Sequence, residues 1–430
     1  MINLVIALGA IMTVIDSTIV NVALHVLGRD LGTSLGTIQW VLTGYLLALS
    51  MTIPITGWAI ERFGGRRVWL TALSLFIAGS VLCGAAWSVG SLIAFRVVQG
   101  VGGGLLMPAA QTILAQEAGP QGMARAMAVV SIPGMLAPML GPVLGGVLLD
   151  HLSWRWMFLI NVPICAAALI LAVRRLPDTD RGKGNGKGRL DIVGLALLSP
   201  GSAILIWGLA GGGLIGKTLG ILLLGGFVVH ALRRRHRALV DLRLFAGRAY
   251  ATSIGTIFGY SIAMFGALLL IPLYAQEVRG GDTLSAGLLV APVGAGAIVT
   301  MTQAGRISER FGIRGPAVTG LLLVVTGLFA YTQMREGIAA AFVIGLGHGL
   351  VTPLVMAGAY RDVPRGEIPQ ATVAATILVR LGSALGAAVF AVVLQTLSRR
   401  DTPETAFAHS FWWVLGVAAL SILPAVRMPG

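Results

Sequence analysis

Apolar segments of about 20 residues follow one another along the whole chain, and they constrain its fold more than any other feature. A helix needs about 20 mostly apolar residues to cross the hydrocarbon core of a bilayer. We assign fourteen such segments, at residues 3–25, 37–60, 68–87, 90–114, 124–149, 155–173, 191–211, 217–232, 251–275, 283–304, 315–333, 338–360, 371–397 and 408–426. Only helices and closed barrels satisfy their backbone polar groups in lipid, and these segments lack the alternation of barrel strands. The sequence therefore predicts an all-α integral membrane protein with fourteen spans.

The composition argues against a soluble protein. Hydrophobic residues make up 56% of the 430 residues and charged residues 11%, whereas soluble domains carry about 25% charged residues. The net charge of +14 arises from basic residues between the apolar segments, which indicates contacts with phospholipid rather than with nucleic acid. Cys83 and Cys165 lie within apolar segments, so we predict buried thiols and neither a disulfide nor a metal site.

The distribution of lysine and arginine predicts the orientation in the membrane. With the N-terminus inside the cell, 22 of the 31 basic residues fall on the cytoplasmic side and 7 on the outer side. The other two, Arg96 and Arg380, lie within predicted spans. Because positively charged loops are retained in the cytoplasm, both termini are predicted to be cytoplasmic. No signal-peptide pattern surrounds the first segment, so we expect it to remain as a helix.

The chain contains an internal repeat. Gly57–Arg66 closes the second predicted span and Gly305–Arg314 closes the tenth, and both follow the pattern G-x-x-x-E-R-F-G-x-R. The spacing fits six spans, two additional spans and six further spans, with boundaries at 1–175, 176–250 and 251–430. Parallel six-helix halves around a site at the midplane are an architecture of secondary transporters. We refer to the two copies as the twin cassettes.

Two charged residues lie where charge is costly. Asp16 is the only acid that we count within a predicted span, and Arg96 lies within the fourth. A charged side chain at the centre of a bilayer costs at least about 2.5–3.5 kcal/mol, so such residues usually face the protein interior and serve a function. A carboxyl group that faces two compartments in turn could bind a proton from one and release it to the other. We predict that Asp16 carries protons with Arg96 as its partner, directly or through water and Gln99; the alternative is an ion pair that never titrates.

Five patterns occur in order along the N-terminal half: Asp16–Leu24, the Gly57–Arg66 cassette, Arg96–Gly104, Gly134–Gly146 and Trp154–Pro163. Together they resemble the major facilitator superfamily, and within it the fourteen-span drug:proton antiporters. The resemblance covers nearly the whole chain. It implies two six-helix bundles with two additional transmembrane helices between them, and the fifth-span pattern is similar to a signature of exporters rather than importers.

The sequence departs from the family pattern at three positions. His25 stands where a proline is usual, Glu61 where an aspartate is usual and Gly65 where a basic residue is usual. The resemblance nevertheless implies a hinge in the fifth span, formed by Gly134, Pro138, Gly141, Pro142, Gly145 and Gly146. Small residues one turn apart let helices approach closely, and prolines bend them. Tight packing without a hinge is the alternative.

Two further groups of residues are candidates for function. The twin cassettes are predicted to form a cytoplasmic gate, or else only to fix topology, through Gly57, Glu61, Arg62, Gly64, Arg66, Glu309 and Arg310. A weakly polar substrate cavity is predicted from Asn21, Trp40, Tyr45, Gln99, Met107, Gln111, Tyr260, Phe265 and Arg380, although such residues are more often core or lipid-facing. Arg380 could equally serve a fixed structural role. His348 is either a second titrating group or a packed neutral histidine.

The sequence predicts a function without cofactor or enzymatic chemistry. Gly211–Thr218 matches a phosphate-loop pattern, but no α/β domain surrounds it and we place it in an outer turn. We expect a monomeric, proton-coupled exporter of small amphipathic or apolar compounds, such as antibiotics, in the cytoplasmic membrane of a bacterium. Its partners would be the substrate, protons and membrane lipids, with no nucleic acid. The alternatives are a specific transporter of one metabolite, natural product or lipid, and a membrane sensor that does not transport.

Overall fold

A computed structural model describes residues 2–176, 190–209, 213–234, 238–281, 283–333 and 337–429. In these ranges the regular structure is helical, and the predicted all-α fold is confirmed. Most of the segment between Arg174 and Arg189 falls outside the described residues. The helices are α1 (Ile2–Asp30), α2 (Leu35–Ile38), α3 (Trp40–Phe63), α4 (Gly65–Gly84), α5 (Val89–His151), α6 (Trp156–Leu159), α7 (Asn161–Arg175), α8 (Ile192–Leu209), α9 (Gly213–Arg234), α10 (Arg248–Glu277), α11 (Thr283–Phe311), α12 (Arg314–Thr332), α13 (Ile338–Tyr360), α14 (Ile368–Leu397), α15 (Pro403–Leu420) and α16 (Ile422–Ala425).

Thirteen segments of the described chain are long and apolar enough to cross a membrane. The fourth and fifth predicted spans are joined in α5, whose hydrogen bonding continues across a break at Gly119. This residue has φ 63° and ψ 179°, a backbone conformation that favours glycine. We call Val89–Gly119 the first arm of α5 and residues 120–151 the second arm. This arrangement is compatible with fourteen spans, and that number stays a prediction.

The two halves use the same helix pairings. In the N-terminal half, the first arm of α5 packs against α3 and α4, and α1 packs against α5 and α7. In the C-terminal half, α13 packs against α11 and α12, and α10 packs against α14 and α15. The twin cassettes end α3 and α11, and each contains a glycine with positive φ, Gly64 at 86° and Gly312 at 71°. The repeat in the sequence is thus a repeat of structure.

Contacts between the halves run through α5, α11, α13 and α14. The second arm of α5 contributes Ala128 and Ile132 to an apolar cluster with Ala297 and Met301 of α11. On the opposite side of the interface, α14 packs against α3. The additional helices α8 and α9 pack on each other, and α8 also contacts α3 and α14. The extra pair therefore lies beside the interface between the halves.

The phosphate-loop pattern proves to be part of a helix. Gly213 to Thr218 form the first turns of α9, and Thr218 donates a hydrogen bond to the carbonyl of Leu214. The outer turn that the sequence predicted for these residues is therefore wrong, because helix α9 begins earlier than its most apolar stretch. Gly211 and Gly212 lie outside the described residues.

Candidate functional site

The Asp16 carboxylate is fully buried among helices of the N-terminal half. Its Oδ2 accepts a hydrogen bond from Nη1 of Arg96 at 2.5 Å, which makes the pair a direct salt bridge. Its Oδ1 accepts hydrogen bonds from Nε2 of Gln99 at 2.9 Å and from Nδ2 of Asn161 at 2.8 Å. Charge and hydrogen bonds together offset the cost of keeping this carboxylate away from water.

Arg96 is held by contacts within the same half of the molecule. Its Nε donates to the backbone carbonyl of Val41 at 3.1 Å, and its Nη1 also donates to Oε1 of Gln99 at 2.6 Å. The guanidinium lies 4.0 Å from the centre of the Tyr45 ring, a cation–π distance. The Tyr45 hydroxyl in turn donates to the carbonyl of Thr13 on α1 at 3.2 Å. The pair is therefore anchored to three helices.

Close helix packing positions these side chains. A Cβ on Gly79 of α4 would lie 2.6 Å from Cα of Gln99, so only glycine lets the first arm of α5 approach α4 this closely. As a result Ser80, which follows Gly79, accepts a hydrogen bond from Nε2 of Gln99 at 2.7 Å. A small residue at the contact lets transmembrane helices pack closely, and here this close packing also orders the buried polar network.

Two members of this network were missed from the sequence. Asn161 begins α7 and Ser80 lies near the end of α4, and both are fully buried. Asn161 belonged to the Trp154–Pro163 pattern, so the signal was present, but nothing local indicated that its amide would face Asp16. Ser80 belongs to none of the sequence patterns described above. Both are brought to the site by the way α1, α4 and α7 surround α5.

The network retains unused hydrogen-bonding capacity. Nη2 of Arg96 and Oδ1 of Asn161 are buried and have no hydrogen-bond partner in the part of the chain that the structure describes. An amide presents an acceptor and two donors, so Asn161 could turn its Oδ1 toward Asp16. The same side chain can therefore donate to a carboxylate or accept from a protonated carboxyl group.

The predicted cavity residues are distributed in three environments. Tyr45 and Gln99 belong to the buried network just described. Met107 is partly buried, and Oε1 of Gln111 accepts a hydrogen bond across the interface from Thr376 at 3.2 Å. Three members are exposed on the protein surface, namely Asn21, Trp40 and Phe265. Whether these residues contact a substrate stays a prediction.

The C-terminal half contributes Tyr260, His348 and Arg380. The Tyr260 hydroxyl lies 2.6 Å from Nδ1 of His348, so a hydrogen bond joins these two side chains between α10 and α13. Arg380 of α14 is partly exposed and lies within electrostatic range of Tyr45. Among the described residues no group of three or more His, Cys, Asp or Glu side chains could hold a metal ion.

The N-terminal cassette contacts the C-terminal half. Oε1 of Glu61 accepts a hydrogen bond from Nε2 of Gln370 on α14 at 3.1 Å. Gly57 lies against Pro369 and Val373 of the same helix. Oε1 of Gln370 accepts a further hydrogen bond from the backbone of Asp241 at 3.3 Å, which connects the segment after α9 to this contact. The cassette end of the interface is therefore closed on this side.

The other predicted gate residues lie around this contact. Nη2 of Arg66 donates to the carbonyl of Val173 at 2.5 Å and so joins α4 to α7. Arg62, Glu309 and Arg310 are exposed. Glu309 and Gly312 also line a cavity of about 610 Å³ between the C-terminal cassette and Gly119 of α5. The gate role of these residues stays a prediction.

The predicted hinge lies in the second arm of α5, which packs on α1. A Cβ on Gly141 would clash with the side chain of Thr18, two residues after Asp16, and Gly145 lies near the backbone of Ile19. The backbone at Pro138 and Pro142 is helical, and the break in α5 falls at Gly119 instead. A Cβ on Gly134 or Gly146 would meet no neighbouring atom within 4 Å among the side chains that the structure describes. The segment that resembles an exporter signature therefore contacts the helix that carries the buried carboxylate.

A second buried acid was passed over in the sequence. Asp191 is the first residue of the predicted span 191–211 and is 4% exposed. Its oxygens lie 2.8 and 3.0 Å from Nε2 of His230 and accept hydrogen bonds from the backbone of Gly194 and Leu239. Burial alone would raise the pKa of Asp191, but these hydrogen bonds and the His230 charge lower it below its usual value. Asp16 is thus not the only acid within the predicted spans.

Comparisons with known proteins agree with this architecture. The family model of the Major Facilitator Superfamily matches residues 6–387. A "Multidrug resistance protein B homolog" of Mycobacterium tuberculosis is 36% identical over 411 residues, which cover 90% of this chain and 74% of that protein. The human organic anion transporter MFSD10 superposes with a TM-score of 0.68 at 16% identity, covering 99% of this chain and 98% of that one. The proton:xylose symporter XylE superposes with a TM-score of 0.64 at 15% identity, covering 98% and 94%.

Proposed function

We propose that this chain, which belongs to the Major Facilitator Superfamily, is a proton-driven exporter of small amphipathic or apolar compounds such as antibiotics. Membership in that family makes it a transport protein rather than an enzyme. Its membrane-spanning helices and its bacterial relatives place it in the inner membrane as a multi-pass protein. The name of the M. tuberculosis relative supports drugs as the substrate class. Family membership does not establish proton coupling, the direction of transport or the substrate class, and these three points are what we propose.

One observation carries the proposal: the fully buried Asp16 carboxylate with its direct salt bridge to Arg96. A buried ion pair is strongly sensitive to the loss of one charge, because the remaining charge is then uncompensated. Protonation of Asp16 would remove one charge and break the balance of the pair. A proton at this one carboxyl group could therefore change the relative stability of two conformations by several kcal/mol.

The hydrogen-bond network offers a place for the proton. The carboxylate accepts from Arg96, Gln99 and Asn161, and a protonated Asp16 must instead donate one bond. Oδ1 of Asn161 is a buried acceptor without a partner in the described chain. Rotation of this amide would give the protonated carboxyl group an acceptor. No further polar atom would have to be desolvated, because Oδ1 of Asn161 is already buried. We infer that Asn161 follows the protonation state of Asp16.

The neighbouring helices provide a path from the proton to the interface. Thr18, half a turn after Asp16, lies against Gly141 in the second arm of α5. That arm carries Ala128 and Ile132, which pack on α11 of the opposite half. A shift of α1 on protonation would thus act on the contact between the halves. Alternating access requires such a link between the coupling ion and a rigid-body motion of the two bundles.

The twin cassettes are proposed to act as a gate at the cytoplasmic ends of the halves. The bond from Gln370 to Glu61 and the contact of Gly57 with α14 join the two halves at this end of α3. These contacts would break when this end opens, so their strength sets the balance between two conformations. In the conformation described here the contact is made, and Asp16 is sealed from this side.

The test measures drug-dependent proton movement in inside-out membrane vesicles. Vesicles with wild type, Asp16→Asn or Asp30→Asn are energised with a pH gradient, and a panel of drugs is added while the internal pH is recorded. Asp30 is the matched control because it lies on the same helix but is exposed. We expect substrate-evoked proton release with wild type and Asp30→Asn, and a reduction of at least about 100-fold with Asp16→Asn, which corresponds to losing the coupling group.

Two outcomes would count against the proposal. Equal proton release from the Asp16→Asn protein would keep a transporter but remove Asp16 from proton coupling. No release from wild type with any drug, when circular dichroism shows folded protein, would favour the specific metabolite transporter.

A further inference from the structure

Arg380 is a charged residue in the middle of a membrane-spanning helix. It is the thirteenth of the thirty residues of α14. A cation at this depth is costly, and proteins normally pair it with an acid or with backbone carbonyls. Arg96 in the other half follows this rule, with Asp16, Gln99 and the Val41 carbonyl as partners.

The sequence period places Arg380 on the face of α14 that meets the N-terminal half. Four residues share this face at helical spacing, namely Pro369, Val373, Thr376 and Arg380. The first two lie against Gly57 of α3, and the third is hydrogen-bonded to Gln111 of α5. Arg380 lies on the same face, one helical turn beyond Thr376.

Arg380 has no partner among the described residues. The side chain is partly exposed, and within the described ranges no carboxylate, hydroxyl or carbonyl group forms an ion pair or hydrogen bond with it. Its electrostatic neighbour across the interface is Tyr45. Tyr45 carries no charge that could compensate a guanidinium, and its hydroxyl already donates to the carbonyl of Thr13.

We propose that Arg380 binds the anionic group of the transported compound, so that the protein prefers amphipathic organic anions over cations. This inference rests on the proposed transport function and specifies its substrate class. A guanidinium presents a planar fork of donors that matches the oxygens of a carboxylate, sulfonate or phosphate. Because the charge is fixed and lacks a counter-ion, it attracts an anion and repels a cation that enters the same space.

The position of Arg380 also connects the substrate to the proton site. Tyr45 is a neighbour of both arginines: its ring centre lies 4.0 Å from the Arg96 guanidinium, and it interacts electrostatically with Arg380. A bound anion would compensate one of the two cations around this ring, whereas Asp16 compensates the other. Binding of the anion and protonation of Asp16 therefore act on neighbouring charges, as coupled transport requires.

The experiment measures equilibrium binding of three probes with one fluorophore to purified protein. Dansylglycine carries a carboxylate, dansylglycinamide is neutral, and a dansyl amine with a trimethylammonium group is cationic. The variants are Arg380→Gln, which removes the charge, and Arg380→Lys, which keeps it. We expect wild type to bind the anion at least about tenfold more tightly than the amide, and Arg380→Gln to lose this preference. Arg380→Lys should retain part of it, and binding of the amide should change less than about twofold in either variant.

The protein is measured in nanodiscs of phosphatidylcholine alone and of phosphatidylcholine with phosphatidylglycerol. If anionic lipid abolishes binding of dansylglycine to wild type, the headgroup of a phospholipid occupies the Arg380 site; if it does not, the ligand is a soluble anion. Equal binding of the three probes by wild type, or an anion preference that persists in Arg380→Gln, would overturn the inference. Because binding needs no pH gradient, this result is independent of the vesicle assay, and failure of proton coupling leaves it intact.

Discussion

The centres of the two halves differ in whether their charged side chains are buried and paired. In the N-terminal half, Asp16 and Arg96 are fully buried and bonded to each other. In the C-terminal half, a hydrogen bond between Tyr260 and His348 joins α10 to α13 without a carboxylate, and the cation Arg380 is partly exposed. The same helix pairings thus hold a sealed ion pair on one side and an accessible single charge on the other. Pseudosymmetric architecture therefore leaves each half free to take a different part in transport.

The largest effect should come from removing the Arg96 cation, and removal of Arg380 is the comparison. Arg96→Met leaves the buried Asp16 carboxylate without its counter-ion, which costs about 3–5 kcal/mol of folding free energy. Arg380→Met removes a cation without a partner in the described chain and should change stability by less than about 1 kcal/mol, or increase it. Unfolding curves of the purified proteins in detergent measure both.

The double variant Asp16→Asn with Arg96→Met is the control for this comparison. It should recover a large part of the stability that Arg96→Met loses, because no uncompensated charge then remains. Equal destabilisation by Arg96→Met and Arg380→Met would show that the two centres do not differ in the way described here.

An intermediate effect is expected from the hydrogen bonds of the two centres. Asn161→Ala removes a bond to a carboxylate, worth about 1.5–3 kcal/mol, whereas Tyr260→Phe removes a bond between a hydroxyl and an imidazole, worth about 1 kcal/mol. Both changes make the side chain smaller without adding a polar group. The same unfolding measurement compares them, and a larger loss from Tyr260→Phe would contradict the ranking of the two centres.

The smallest effect concerns Asp191, which lies outside both centres. Its pKa is lower in the folded protein than in the unfolded chain, where it is about 3.9. The ionised carboxylate therefore stabilises the contact with Leu239 above about pH 5, and this contribution is lost as the pH falls through the lowered pKa. We expect hydrogen-exchange protection of the Leu239 amide to fall in acid in the wild type. In Asp191→Asn the protection should be weak at every pH, whereas Asp241→Asn, a nearby control, should behave as wild type.

The helices and the repeat followed from local properties of the sequence. The length of each apolar run marks a span, and the two copies of G-x-x-x-E-R-F-G-x-R predicted equivalent ends for α3 and α11. Two predictions failed locally: the pattern from Gly211 to Thr218 is partly helical, and Asp191 is a buried acid at the edge of a span. Both lie at helix ends, where hydropathy changes gradually and does not mark a boundary.

The sequence by itself determined which residues would be costly in a membrane. Asp16, Arg96 and Arg380 stand out because burial of charge is penalised wherever it occurs. Only the tertiary structure decided which of them are compensated. Asn161 and Ser80 join Asp16 because α7 and α4 pack around α5, and Arg380 lies one turn beyond the bond between Thr376 of α14 and Gln111 of the N-terminal half. The cost of a charge is a property of one residue, whereas its compensation depends on distances between helices that are far apart in the chain.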